Sequence, residues 1–75
     1  MSKYPIIKPK VLLKALLRAG FYVHHQTGSH ARLLHRSNKN LRVTIPIHNT
    51  DLPIDVLKRI LQQANLDIDT LKKFL

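Results

Sequence analysis

The sequence has no cysteine, no tryptophan and no glutamate, and only two glycines. Without cysteine it can form neither a disulfide nor a thiolate metal site, and the reducing cytoplasm is the expected compartment. No apolar run approaches the roughly 20 residues that span a bilayer, and no cleavage site follows the basic, leucine-rich start. We therefore expect a soluble protein without a membrane partner, whose residues 1–75 form one small domain stabilised by packing alone.

Acidic residues are scarce, and the resulting charge is the most informative bulk property. Thirteen lysines and arginines face four aspartates, which gives a formal net charge of +9. A field of this strength attracts phosphate backbones and gains counterion-release entropy when they bind. The charge predicts a polyanionic partner such as a nucleic acid, and it is equally compatible with an acidic protein.

Changes of hydrophobic period divide the chain into helices and strands. Leucines repeat at i,i+4 in residues 10–20, while Lys10, Lys14 and Arg18 share another face of this predicted helix. From residue 21 a period of two predicts strands at 21–27, 30–36 and 41–47, with a tight turn at 37–40. A second helix follows, and its predicted cap is one of three polar residues, Asn49, Thr50 or Asp51. A short last helix is capped by Asp67. This order predicts an α/β (α+β) fold, a three-stranded antiparallel meander with the second helix covering one face.

The uncovered face of the sheet is expected to carry polar and basic side chains. Alternation places Phe21 and Val23 in the core, together with Ala31 and Leu33 of the second strand. The residues then turned outward are Tyr22, His24, Gln26, His30, Arg32, Arg36 and Arg42. His25 and His35 fall on the buried side or its rim. Leu34 fits this pattern poorly, so either a partner covers it or a bulge near Gly28 shifts the register.

Three motifs carry a family resemblance. They are Gly28-Ser29-His30, the segment VTIPIH at 43–48, and the segment LKRILQQANL at 57–66. In order and spacing they resemble the HicA family of bacterial toxin mRNA interferases, over nearly the whole chain. Asn65 stands where the family usually has glycine, and a left-handed helix cap tolerates this change. Pro53-Ile54-Asp55 replaces the more usual Pro-Gly-Thr-like start of a helix.

The resemblance implies a double-stranded-RNA-binding-domain-like fold and an endoribonuclease that cuts mRNA without a metal or other cofactor. It also implies neutralisation by a HicB-like antitoxin, and no direct DNA partner. In the family the histidine of the Gly-Ser-His motif is catalytic, and His30 matches it. RNA cleavage through the neighbouring 2′-hydroxyl needs a proton acceptor, a proton donor and positive charge at the phosphate. An imidazole, with an unperturbed pKa of about 6.5, suits both proton roles.

Further residues are candidates for RNA binding. Arg32, two positions beyond His30 on the same face, is the first candidate for phosphate binding, and Arg36 and Lys39 rank below it. Gly28 would let the RNA backbone approach closely. Ser29 either binds a phosphate or completes the turn.

Among the other histidines, His24 is a candidate for assisting as an acid or binding phosphate, although a histidine at such a position is more often only a surface residue. No metal site is expected, because the histidines lack metal-ligand spacing and no carboxylate lies near the strands. Two alternatives to the enzyme stay open at this point. One is a non-catalytic RNA-binding module of the same fold, and the other is a basic adaptor for an acidic protein.

Overall fold

The computed structural model describes residues 3–75, and the predicted order of elements is confirmed. Helix α1 spans Pro9–Arg18, followed by strands β1 (Phe21–Gln26), β2 (His30–His35) and β3 (Arg42–Pro46). Helix α2 spans Ile54–Ala64 and the short α3 spans Ile68–Lys72. Within the described residues the strands form one antiparallel sheet in the order β1-β2-β3. No helix among residues 3–75 is long and apolar enough to cross a membrane.

The helices cover one face of the sheet, and the core lies between the two layers. Five strand side chains on this face are almost completely inaccessible to solvent, Phe21, Ala31, Leu33, Val43 and Ile45. The helical side of the core is made of apolar residues of the three helices, among them Leu12, Leu16, Leu57, Ile60, Leu61, Leu71. Since the core lies entirely on one side of the sheet, the helices leave the opposite face uncovered. This uncovered side is called the open face below.

The caps of the second and third helices agree with the sequence predictions at two positions and differ at one. Asn65 ends α2 in the left-handed conformation (φ 55°), as expected. Asp67 caps α3 by accepting a hydrogen bond of 2.7 Å from the backbone N–H of Thr70, and that bond lowers the pKa of the Asp67 carboxyl. The predicted caps of α2 are not used. Pro53 occupies the N-cap position instead, without a side-chain cap, because the chain enters the helix later than the polar residues 49–51.

Gly20 joins α1 to β1 in a conformation that favours glycine, with φ at 104°. A Cβ atom placed on it would lie 2.7 Å from Nε2 of His35. That imidazole packs edge-on against Phe21, with ring centroids 4.8 Å apart. The junction is therefore tight, and it fixes where the first strand starts.

Beside the core, the outer edge of β3 is held by α2. The side-chain oxygen Oε1 of Gln63 accepts a hydrogen bond of 3.2 Å from the backbone N–H of Thr44. Two residues further along the same edge, Pro46 has no N–H to offer. The contact binds α2 to the strand through polar groups as well as through apolar packing.

Candidate active site

A β-bulge in β1 decides which side chains reach the open face. Pairing with β2 is regular from Phe21 to Val23, then shifts so that His25 pairs with Arg32 and Gln26 with Ala31. His24 is the extra residue. Side chains that pair across an antiparallel sheet share a face, so the bulge exchanges the faces of the two residues that follow it.

Three predictions for β1 are corrected, two of them by this bulge. His25, predicted on the buried side or its rim, lies in the open-face row with Arg32. Gln26, predicted on the open face, pairs with the buried Ala31 on the core face, although its side chain is still exposed. Val23 does pair with the buried Leu33, yet it is 38% exposed and does not belong to the core.

The register of β2 is as predicted, and no bulge near Gly28 disturbs it. His30 pairs with Pro46, Arg32 with Thr44, and Leu34 with Arg42. Because these pairs alternate with the buried pairs of the core face, His30, Arg32 and Leu34 follow one another along the open face. Leu34 is half-buried there and faces away from the core. Of the two explanations for Leu34, the shifted register is wrong.

The turn that presents His30 is held by one threonine. The backbone N–H of Thr27 donates to the carbonyl of His30 at 2.9 Å, and the hydroxyl oxygen of Thr27 accepts from the N–H groups of His30 and Ser29, at 3.1 and 3.3 Å. The carbonyl of Ser29 accepts from the N–H of Ile47 at 2.7 Å. These bonds fix the backbone at the start of β2, while the side chain of His30 stays exposed.

Ser29 contacts the imidazole directly. Its Oγ lies 3.0 Å from Nδ1 of His30. The hydroxyl oxygen can accept a hydrogen bond from Nδ1–H, and in that tautomer the lone pair is on Nε2, the ring nitrogen on the far side from Ser29. The two predicted roles of Ser29 were binding phosphate or completing the turn, and the geometry adds orientation of His30, which the sequence pattern did not indicate.

Gly28 is not required by the fold. A Cβ atom placed on it would meet no atom within 4 Å, and its φ lies outside the left-handed region. The space beside Gly28 is open to solvent, next to Ser29 and His30. A backbone or phosphate from another molecule can come close to the chain at this point.

Basic side chains surround the open face, as predicted. The guanidinium of Arg36 lies over the ring of Tyr22, 5.4 Å from the centroid. Arg32, Arg42 and Lys39 line a groove on this face. The strands carry no aspartate or glutamate, because the four aspartates are at positions 51, 55, 67 and 69. The face is therefore electropositive, which favours phosphate groups.

The groove runs along β2 between β1 and β3, with a volume of about 650 Å³. Apolar and aromatic surface comes from Leu34 and Tyr22, which pair with one another across β1 and β2. The basic residues around it are His24, Arg32, Lys39 and Arg42, together with His35. His30 does not line the groove and lies further along the same strand.

His35 and His48 have local structural contacts. The N–H of Ser37 donates to Nδ1 of His35 at 3.1 Å, so Nδ1 is the acceptor and Nε2–H donates to the carbonyl of Ala19 at 3.2 Å. Nδ1 of His48 lies 3.1 Å from the carbonyl of Thr50 at the corner between β3 and α2. Both rings therefore stabilise turns. Over residues 3–75, no group of three or more His, Cys, Asp and Glu is arranged to hold a metal ion.

The basic residues of α1 form a second cationic surface, but one of them is engaged. Nη1 of Arg18 donates a hydrogen bond of 2.7 Å to the carbonyl of Phe74. This bond joins the end of α1 to the segment after α3. Lys10 and Lys14 remain exposed on the helix.

Comparison with known proteins gives one match. The family model described as the HicA toxin of bacterial toxin–antitoxin matches residues 10–66, from the second residue of α1 to just beyond α2. No match was found among curated proteins. The matched range contains the Gly28-Ser29-His30 turn, the bulge and the groove.

Proposed function

The chain belongs to the HicA family of toxins from bacterial toxin–antitoxin systems, and on this premise we propose that it is a metal-independent endoribonuclease that cleaves mRNA with His30. The observation that carries the proposal is the exposed imidazole at the start of β2, oriented by Ser29 at 3.0 Å and followed on the same face by Arg32. A proton-transfer group beside a phosphate-binding cation is what the reaction requires.

The proposed reaction is an internal transesterification. The 2′-oxygen forms a bond to the neighbouring phosphorus, the bond from phosphorus to the 5′-oxygen breaks, and the products are a 2′,3′-cyclic phosphate and a 5′-hydroxyl. With Nδ1–H directed at Ser29, Nε2 of His30 is free to take the 2′-hydroxyl proton. Arg32 stabilises the negative charge that develops on the phosphate oxygens.

A second imidazole is available to protonate the leaving 5′-oxygen. His25 pairs with Arg32, so it lies diagonally from His30 on the open face, and such diagonal neighbours have Cα atoms roughly 7–8 Å apart. A scissile phosphate between two imidazoles at this spacing has one proton acceptor and one proton donor. His24, the extra residue of the bulge, is one position further along the strand and lines the groove.

The test is cleavage of an unstructured RNA in the presence of EDTA. We expect the wild-type protein to cut it, to leave cyclic-phosphate or 3′-phosphate ends, and to leave the corresponding DNA intact, because DNA has no 2′-hydroxyl. His30→Ala is expected to abolish cleavage without unfolding, since the side chain is exposed. His25→Ala is expected to slow cleavage more than His24→Ala.

Lys14→Ala is the matched control, an exposed cation on α1 away from the open face. It should cut RNA at the wild-type rate. A need for added divalent metal, equal cutting of DNA, or full activity of His30→Ala would refute the mechanism. Tight binding of RNA without any cleavage by the wild-type protein would favour the non-catalytic RNA-binding module.

The partner in this proposal is a HicB-like antitoxin that covers the open face. With +9 on 75 residues, an antitoxin acidic at its contact surface would associate quickly and favourably. His30→Ala should still bind it, because one truncated imidazole removes little contact area. Growth of cells expressing His30→Ala alone, with co-purification of the antitoxin when both are present, is the expected result. Undiminished growth arrest by His30→Ala would contradict the enzymatic proposal.

A further inference from the structure

The groove on the open face has a composition that phosphate binding alone does not explain. Its cations, Arg32, Lys39 and Arg42, surround apolar and aromatic surface from Leu34 and Tyr22. A site that only held phosphates would gain nothing from a half-buried leucine directed away from the core. A nucleotide, by contrast, offers an apolar ring face together with a charged phosphate on each side.

We propose that this groove is a subsite for one unpaired nucleobase of the RNA, held against Leu34 and Tyr22 while Arg32, Lys39 and Arg42 contact the flanking phosphates. The inference rests on the proposed function, because it takes RNA as the ligand of the open face. It adds the conformation of the substrate. The RNA must be single-stranded at the nucleotide that enters the groove.

A double helix does not fit this chemistry. In duplex RNA the bases are stacked and paired, and a protein meets phosphates and 2′-hydroxyl groups along the minor groove. Neither group gains from contact with Leu34. Splayed bases, in contrast, pack against apolar and aromatic side chains, with a free energy of roughly 1–3 kcal/mol per base. The volume of about 650 Å³ lies within the range of sites that hold small ligands.

The position of the groove separates it from the reacting atoms. His30, Arg32 and Leu34 alternate along β2, and two residues of an antiparallel strand span about 7 Å. Leu34 is therefore roughly 13 Å from His30, measured along the strand. The nucleotide in the groove is a neighbour of the cleaved linkage and not the cleaved nucleotide itself. We expect Leu34→Ala to raise KM for RNA and to leave kcat close to the wild-type value.

Electropositive surroundings favour RNA over a protein side chain as the occupant. Three cations lie around the groove and no carboxylate lines it, so a protein would need both an apolar side chain for the leucine and separate acidic side chains for these charges. A nucleotide satisfies both parts of the site at once. The antitoxin can still cover the face as a whole.

The experiment measures binding rather than cleavage, with full-length His30→Ala protein so that the RNA stays intact. The probes are a fluorescent unstructured oligoribonucleotide, the same strand annealed to its complement, and a series in which one abasic nucleotide is moved along the strand. We expect the single strand to bind more tightly than the duplex. One abasic position should weaken binding by roughly tenfold, the loss of one stacked base.

Adding Leu34→Ala should weaken binding of the intact strand by a similar factor and remove the penalty of that abasic position, because the two changes delete the same contact. The matched control is Leu17→Ala, an exposed leucine of α1, which should retain the abasic penalty. A second variant, Arg42→Ala, alters only an exposed side chain. It should weaken binding at every abasic position and lower the salt slope by about one.

Each other outcome overturns the inference in a recognisable way. Equal or tighter binding of the duplex, or an abasic penalty that persists in Leu34→Ala, means that the groove takes no base. If Leu34→Ala binds RNA normally but loses the antitoxin, the groove belongs to the partner protein. If the His30→Ala protein binds no RNA at all, the proposed function fails together with this inference.

Discussion

The same substitution at the two glycines should have opposite effects on stability. In Gly20→Ala the new methyl group meets Nε2 of His35 at 2.7 Å, and the backbone keeps a φ of 104°. Forcing an L-residue into this region costs about 1–2 kcal/mol, and displacing the imidazole breaks its bond to the carbonyl of Ala19, worth about 1 kcal/mol. We therefore expect a loss of about 2–3 kcal/mol in the free energy of unfolding.

In Gly28→Ala the new methyl group contacts no atom, and the backbone there does not have a positive φ. The change should leave the free energy of unfolding unaltered or raise it by up to about 1 kcal/mol, because alanine lowers the conformational entropy of the unfolded chain. Urea unfolding followed by circular dichroism measures both variants. The midpoint should fall strongly for Gly20→Ala alone, with an unchanged m-value, and its melting temperature should drop by roughly 10–20 °C. Equal shifts for the two variants, or a larger loss for Gly28→Ala, would refute the reasoning.

Three further predictions concern the core, the site and the acid stability of the fold. Leu33→Ala should lower the free energy of unfolding by about 2–5 kcal/mol, because Leu33 is fully buried. Val23→Ala should change it by no more than about 1 kcal/mol, because Val23 is 38% exposed. A large loss for Val23→Ala in urea unfolding would contradict the exposed position. Ser29→Ala should lower the single-turnover rate of RNA cleavage with little change in RNA affinity, because it removes the hydroxyl that orients His30; an unchanged rate would leave Ser29 as a turn residue. The folded state lowers the pKa of Asp67, so the charged carboxylate stabilises the fold above the unfolded pKa of 3.8, and this contribution is lost as the pH falls through the folded pKa. The urea midpoints of wild type and Asp67→Asn should therefore differ more at neutral pH than at about pH 2. A difference that grows in acid would be incompatible with this linkage.

The order of elements and the face of the sheet that carries His30 were accessible from the sequence. Hydrophobic period identifies both kinds of element, and alternation in β2 correctly placed His30, Arg32 and Leu34 together on the open face. These patterns depend only on the side chains of one segment and the position of the core. Family resemblance added the identity of the motif and the proposed catalytic role of His30.

The bulge in β1 was not accessible, and it changed the composition of the site. Alternation assumes one residue per position, so an extra residue at His24 reverses every assignment after it and brought His25 to the open face unforeseen. The cap of α2 failed for a related reason. Several polar residues precede the helix, and their order does not determine at which one the backbone turns.

Both outer edges of the sheet are protected against pairing with another strand. Along β3, the N–H of Thr44 is already occupied by Gln63, and Pro46 has none to donate. Along β1, the bulge interrupts the regular spacing that an incoming strand would have to match. These blunted edges, together with repulsion between copies that each carry a net charge of +9, disfavour aggregation of the protein when no partner covers its sheet.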